Sequence, residues 1–139
     1  MIILDANVLS ELMKVEPDTI VYAWIGSCDA DSLFTTAVCQ AEILSGIATM
    51  PDGRRRQIRA NTARLIFEGQ FQGRILPFDD NAALPYAEII ASRRRTGRPI
   101  KEFDAQIASI AVCRGMAVAT RDSSGFENCG IEVINPWTA

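Results

Sequence analysis

The sequence contains no histidine, and it contains only four cysteines and two lysines. Without histidine, neither a Ser-His-Asp triad nor a Cys-His nucleophile can form, and no histidine general base is available. The cysteines form no Cys-x-x-Cys pair, so a zinc site of the usual kinds is not expected. We interpret them as small buried thiols of a cytosolic protein. If the chain is an enzyme, carboxylates, hydroxyls, lysine or a metal ion must carry its chemistry.

Long apolar segments are also absent from the sequence. No apolar run approaches the roughly 18 residues that a membrane-spanning helix needs, so no membrane contact is expected. The first residues show neither the basic segment nor the long apolar stretch of a secretory signal, which favours a cytoplasmic protein. The 139 residues, of which 48% are hydrophobic, predict one domain over residues 1–139 with its own core.

Positive charge is concentrated in two acid-free runs, although the formal net charge is −3. One run contains Arg54, Arg55, Arg56, Arg59 and Arg64, and the other contains Arg93, Arg94, Arg95, Arg98 and Lys101. They hold ten of the 14 positive charges, so the rest of the chain carries four positive against 17 negative charges. The runs are either solvated helix faces or phosphate-contacting edges around an acidic centre, since arginine binds phosphate in a bidentate fork.

Strand and helix patterns alternate along the chain. Ile2-Ile3-Leu4 is a continuous apolar run, which is typical of a strand buried on both faces of a parallel sheet. Further strands are predicted at 33–35, 75–76, 117–119 and 132–134. Helices are predicted at 7–14, 19–27, 37–50, 54–72, 79–96 and 103–114, with Pro85 implying a kink or a later start in the fifth. This alternation predicts an α/β sandwich with a mostly parallel sheet.

Several polar side chains follow predicted strands or begin predicted helices. Asp5 directly follows the first strand, and Thr120 and Asp122 follow a later one. Asp104 lies in the first turn of its helix, and Glu42 lies at the margin of an apolar helix stripe. Each acid alone also has an ordinary structural interpretation. Asp104 fits a helix-dipole partner, Asp122 a turn residue and Glu42 an exposed helix acid, whereas Asp5, directly after a buried strand, is harder to explain in this way. If the four acids converge, hard oxygen ligands without histidine or cysteine favour Mg²⁺ or Mn²⁺.

A series of short motifs covers nearly the whole chain. They are Ile3-Leu4-Asp5-Ala6-Asn7-Val8-Leu9-Ser10-Glu11, Ala41-Glu42-Ile43 with Gly46-Ile47, Gly97-Arg98-Pro99-Ile100, Asp104-Ala105-Gln106-Ile107-Ala108, Ala119-Thr120-Arg121-Asp122, and Phe126, Gly130 and Ile134-Asn135-Pro136-Trp137. In their order and spacing, these motifs together resemble the PIN-domain ribonucleases, particularly the VapC toxins of the FitB-like branch.

The resemblance implies a PIN-like three-layer sandwich with a five-stranded, mostly parallel sheet in the order 3-2-1-4-5. It also implies Mg²⁺-dependent cleavage of RNA, inhibition by a cognate antitoxin protein, and a homodimer. The family's acidic quartet maps onto Asp5, Glu42, Asp104 and Asp122. Asn7 matches a polar position beside the first acid, and Thr120 matches a hydroxyl position that often supports the metal or its water. Because RNA carries phosphate, the arginine runs become a candidate RNA-binding surface that comprises Arg54, Arg55, Arg56, Arg59 and Arg98.

One position departs from the family pattern. Many relatives carry an acid directly before the phenylalanine that matches Phe126, whereas this chain has Gly125. The last acidic ligand must then be Asp122. We expect Asp5, Asp104 and Asp122 to hold Mg²⁺, with Glu42 orienting the attacking water or completing a second metal site.

Two other functions remain open from the residues. The first is a PIN domain that acts mainly as a partner-binding module or a subunit of a repressor complex. The second is aspartyl phosphotransfer of the phosphatase type, which fits Asp5 after a first strand. Asn7 stands where such phosphatases usually place a second acid, and Lys14 and Lys101 are the only candidates for a phosphate-binding lysine.

Overall fold

A computed structural model describes residues 1–139. Five parallel strands form one sheet in the order 3-2-1-4-5, which confirms the predicted topology. The strands are β1 (Ile2–Leu4), β2 (Leu33–Thr36), β3 (Ile75–Leu76), β4 (Ala117–Ala119) and β5 (Val133–Ile134). The helices are α1 (Ala6–Leu12), α2 (Thr19–Ser27), α3 (Ala37–Ala48), α4 (Arg54–Arg64), α5 (Ala83–Arg95) and α6 (Glu102–Arg114).

The sheet is buried on both faces, which gives the predicted three-layer α/β sandwich. Ile3 and Leu4 of β1 are fully buried although successive strand residues point to opposite faces, and the same holds for Val118 and Ala119 of β4. Helices must therefore cover both sides of the central strands. No helix is both long enough and apolar enough to span a membrane.

Two predicted helices are divided in the structure. The helix predicted over 54–72 is α-helical only as far as Arg64 and continues as a wider π-helical segment over Leu65–Gln70. This wider turn brings Ile66 and Phe71, which are five residues apart, to the core together. The helix predicted over 79–96 begins later, at Ala83, after one 3₁₀ turn. Pro85 consequently lies in the first turn of α5, where its missing N–H breaks no helical hydrogen bond.

All four cysteines are free thiols. The prediction that all of them are buried is wrong. Cys39 and Cys129 are buried, Cys28 is partly exposed and Cys113 is exposed near the end of α6.

Parallel pairing places the carboxyl ends of the central strands at one edge of the sheet. β1 and β4 pair in register, and the amide of Asp5 donates to the carbonyl of Ala119 at 3.0 Å. This bond aligns Asp5 with Thr120, the first residue after β4. On the other side, β2 runs directly into α3. The residues that follow β1, β2 and β4 therefore share the edge where ligands bind in open α/β sheets.

Candidate active site

Asp5 is held at the end of β1 by three neighbours. Its Oδ1 accepts a hydrogen bond from the amide of Ala6 at 2.8 Å, so the side chain caps α1. Its Oδ2 accepts a bond of 2.7 Å from the hydroxyl of Thr120, and the thiol of Cys39 lies 3.9 Å from Oδ1. Asp5 is buried. Its carboxylate therefore has one fixed orientation at the base of the surface depression described next.

The four predicted acids line one depression, which we call the carboxylate cavity. It has a volume of about 430 Å³ and contains the side chains of Asp5, Glu42, Asp104 and Asp122. They come from the end of β1, from α3, from the first turn of α6 and from the segment after β4. The structure thus brings together four residues that are as much as 117 positions apart in the sequence.

Burial and mutual repulsion raise the pKa values of three of these carboxyls. Burial is the main cause for all three, because it disfavours the charged form. With added repulsion from Asp5 and Asp104, the pKa of Glu42 is raised to about 7. The pKa of Asp104 is raised to about 6, with repulsion from Asp5 and Asp122. The pKa of Asp5 is also raised by burial, although hydrogen bonds from Thr120 and Ala6 oppose the shift.

Thr120 and Asn7 connect the two strand ends beneath the acids. The buried hydroxyl of Thr120 donates to Asp5 and accepts hydrogen bonds from the Asn7 side chain and the Asp122 amide, both at 3.1 Å. The side-chain oxygen of Asn7 accepts a bond of 3.3 Å from the amide of Arg121. Asn7 lines the carboxylate cavity, whereas Thr120 acts from below by orienting Asp5.

Gly125 leaves room for the two acids on the α6 side. A Cβ at this position would lie 3.0 Å from Oδ2 of Asp122 and 3.2 Å from Oδ2 of Asp104. The two carboxylates therefore converge on the space that any other side chain would occupy. Oδ1 of Asp122 is already used, since it accepts hydrogen bonds from the Ser124 hydroxyl and the Gly125 amide. Gly125, which stands where many relatives have an acid, thus lies at the point where Asp104 and Asp122 come close to each other.

The donor atoms of this cavity suit a hard divalent cation. All four side chains offer oxygen ligands, which Mg²⁺ and Mn²⁺ prefer, and a cation would relieve the repulsion that raises their pKa values. As the structure stands, no group of three or more acidic or thiol side chains is arranged to hold a metal ion.

Replacing Gly125 by alanine is expected to weaken divalent-ion binding by roughly tenfold without unfolding the chain. The added methyl group would lie 3.0 Å from Oδ2 of Asp122 and 3.2 Å from Oδ2 of Asp104, so these carboxylates must shift to make room for it. Mn²⁺ titration of both proteins measures the effect. Gly26→Ala is the matched control, because a Cβ there meets nothing within 4 Å. Equal Mn²⁺ affinities of Gly125→Ala and Gly26→Ala would contradict this account of position 125.

The arginines predicted to bind RNA differ in their surroundings. Arg55 and Arg59 line a second depression that also contains Glu42. Arg98 lines a third depression beside Asp104 and Asp122 and forms an ion pair of 2.6 Å with Glu127. Arg54 and Arg56 line neither depression, and Arg56 is paired with Asp52.

Arg93 has a role that the sequence does not reveal. It belongs to a run of basic residues that is mostly exposed, yet it is only 5% exposed. Its guanidinium donates to the carbonyls of Gly125 at 3.1 Å, Glu127 at 2.8 Å and Arg98 at 2.6 Å. It therefore fixes the segment that follows Asp122 to the end of α5. No side-chain pattern could have indicated this, because all three acceptors are backbone groups.

Comparisons with known proteins agree with this geometry. A family model described as PIN domain matches residues 2–130. VapC ribonuclease Y4jK of Sinorhizobium fredii is 44% identical over 137 residues, which are 99% of this chain and 98% of that protein. Toxin FitB of Neisseria gonorrhoeae is 34% identical over 137 residues, 99% of each chain.

Solved structures show the same fold. A chain of the FitAB complex bound to an IR36 DNA fragment superposes with a TM-score of 0.92 and 35% identity, over 99% of this chain and 96% of that one. A chain of the VapBC-1 complex from nontypeable Haemophilus influenzae superposes with a TM-score of 0.82 over the full length of both chains; its 22% identity supports the fold alone. This chain belongs to the PIN-domain family, in the branch that includes VapC ribonucleases and the FitB toxin.

Proposed function

We propose that this protein is a Mg²⁺-dependent endoribonuclease and the toxin of a toxin–antitoxin pair. The observation that carries the proposal is the convergence of Asp5, Glu42, Asp104 and Asp122 on one cavity at the carboxyl edge of the sheet. The relatives named as VapC ribonuclease and Toxin FitB support it. Mn²⁺ can substitute for Mg²⁺, because both take carboxylate oxygen ligands.

The four acids divide two roles in the proposed reaction. Asp5, Asp104 and Asp122 would hold the ion, and the hydrogen bond from Thr120 fixes the orientation of Asp5. When bound, the ion neutralises phosphate oxygens and lowers the pKa of an attacking water. Glu42 orients that water and accepts its proton, a role suited to a carboxylate whose pKa is about 7. In-line attack forms the bond from the water oxygen to phosphorus and breaks the bond from phosphorus to the 3′ oxygen. That oxygen takes a proton from solvent, which leaves 3′-hydroxyl and 5′-phosphate ends.

The hydrogen bonds of Asp5 disfavour aspartyl phosphotransfer as the alternative chemistry. Both carboxylate oxygens of Asp5 accept bonds from fixed donors, Ala6 and Thr120, which lower their nucleophilicity. Asn7 is engaged with Thr120 and the Arg121 amide rather than with a phosphate position. These contacts suit a ligand that stays in place and not a nucleophile that must move onto phosphorus.

A cleavage assay tests the proposal through its dependence on metal and pH. Incubation of the protein with end-labelled RNA is expected to give cleavage with Mg²⁺ and none with excess chelator. Protons compete with the ion for Asp104 and keep Glu42 from accepting a proton from water, and the pKa values of these carboxyls are about 6 and about 7. The rate should therefore rise by roughly tenfold or more between about pH 5 and pH 8. Cleavage that persists in chelator would contradict the proposal.

The proposed partners follow from the family. We propose that the chain acts as one domain over residues 1–139, in the cytoplasm, as a homodimer inhibited by a cognate antitoxin protein. A cationic antitoxin side chain near Asp5 would compete with the ion for the same carboxylates. The FitAB complex on DNA favours a second role for this chain, as a subunit of a DNA-bound repressor complex together with its antitoxin. That role is compatible with ribonuclease activity of the free toxin.

A further inference from the structure

Three depressions lie next to one another across the face that carries the acids. The carboxylate cavity shares Glu42 with a depression of about 310 Å³ that contains Arg55 and Arg59, which we call the Arg55 cleft. On its other side it shares Asp104 and Asp122 with a depression of about 320 Å³, which we call the Arg98 cleft. The shared side chains show that the carboxylate cavity adjoins both clefts. The surface therefore changes from basic to acidic and back to basic.

The Arg55 cleft has two unpaired positive charges on one helix face. Arg55 and Arg59 are four residues apart on α4, so their side chains project in the same direction. Both are exposed, and neither forms an ion pair, unlike Arg56. The floor of the cleft is apolar and includes Met13 and Ile47. Such a site offers charge to phosphates and an apolar surface to a base or ribose.

The Arg98 cleft also places positive charge beside the carboxylate cavity. It contains the ammonium of Lys101 and the guanidinium of Arg98, and Lys101 also lines the carboxylate cavity. Lys101 forms no ion pair, whereas Arg98 is paired with Glu127. Lys101 is therefore an unpaired charge that borders both the acids and this cleft.

We propose that a single strand of RNA crosses the three depressions, with phosphates on one side of the cleaved bond bound by Arg55 and Arg59 and phosphates on the other side bound by Lys101 and Arg98. This inference rests on the proposed ribonuclease function, since it places the cleaved phosphate at the acids. A polyanion that crosses four carboxylates is repelled by them, and positive charge at both rims offsets that repulsion where the strand enters and leaves. The arrangement engages the backbone and reads no sequence.

Charge removal on two faces of the same helix tests the Arg55 side. Arg55→Gln/Arg59→Gln removes the cleft charges, and Arg54→Gln/Arg64→Gln removes two exposed charges that line neither cleft. Both pairs are introduced into an Asp5→Asn background to prevent cleavage. Binding of a labelled oligouridylate and a labelled stem–loop RNA is measured by fluorescence anisotropy at several salt concentrations.

The cleft pair is expected to weaken binding of both RNAs by roughly tenfold and to flatten the salt dependence by about 0.7 for each phosphate that is no longer neutralised. The control pair should change neither quantity. Lys101→Gln should weaken binding in the same way from the opposite rim. In the chain with Asp5 intact, the cleft pair should raise KM for RNA and lower kcat/KM.

The outcomes separate this inference from the proposed function. Equal RNA binding by the cleft pair and the control pair overturns the inference, even if the wild-type protein cleaves RNA. Loss of antitoxin binding by the cleft pair with unchanged RNA binding also overturns it, because the cleft then serves a protein partner. RNA binding that depends on Arg55, Arg59 and Lys101 in a protein that cleaves no RNA supports the path of the strand across the three depressions and overturns the ribonuclease proposal.

Discussion

Asp5→Asn is expected to lower the rate of RNA cleavage by about 10²–10³-fold or more while the protein stays folded. The substitution removes the one buried carboxylate that the structure holds in a fixed orientation towards the cavity. Asparagine keeps an oxygen for the Ala6 amide, so α1 remains capped, and the loss of a buried charge relieves repulsion within the cavity. Cleavage of end-labelled RNA and thermal unfolding measure the two effects.

Asp18→Asn is the matched control for this variant. Asp18 caps α2 by accepting bonds from the amides of Ile20 and Val21, and it lies outside the carboxylate cavity. It therefore repeats the same chemical change at another helix N-terminus. Near-wild-type cleavage by Asp18→Asn is expected. Substantial cleavage by Asp5→Asn would remove Asp5 from the proposed reaction.

Arg93→Met is expected to lower the free energy of unfolding by about 2–4 kcal/mol. The buried guanidinium binds three carbonyl groups from two separate segments, and methionine leaves those acceptors without their charged donor. The melting temperature should fall by about 2–4 °C for each kcal/mol of stability removed. Cleavage should also fall at temperatures where the variant is folded, because the freed segment carries Gly125 beside Asp122 and Asp104.

The neighbouring arginine provides the comparison. Arg94 is exposed on the same helix, so Arg94→Met makes the same change in the same sequence context without breaking buried bonds. Arg93→Lys keeps the charge but loses the planar fork that reaches three acceptors, and an intermediate loss of stability is expected. Equal unfolding free energies for Arg93→Met and Arg94→Met would show that the buried hydrogen bonds contribute nothing measurable.

Much of the fold is predictable because the sequence patterns that indicate its strands and helices are local. The apolar run at Ile2–Leu4 indicates a strand buried on both faces, and the alternation of elements indicates a parallel sheet; both are confirmed. The π-helical segment at Leu65–Gln70 is not predictable in this way, because it depends on which of its apolar residues reach the core. The 3₁₀ turn at Ser123–Phe126 also escapes prediction, since it depends on how the Asp122 side chain binds the Gly125 amide.

The same distinction applies to the site. The acids can be proposed from their places after strands and at helix starts, and the family resemblance groups them as a quartet. The composition of the basic runs, by contrast, does not indicate which arginines are buried, which are paired and which line a cleft. Arg93 is buried, Arg56 is paired, and Arg55 lines a cleft, although all three stand in similar arginine-rich stretches. Their different roles follow from tertiary neighbours that local spacing does not encode.

Mn²⁺ binding to the wild-type protein and to Asp5→Asn, measured by calorimetric or spin-resonance titration beside RNA cleavage, tests most directly whether the carboxylates form the metal centre. The wild type should bind Mn²⁺ over the concentration range in which the ion supports cleavage, and Asp5→Asn should bind it at least about tenfold more weakly. Equal Mn²⁺ affinity of the two proteins, or cleavage by the wild type at concentrations where no Mn²⁺ is bound, would contradict the account.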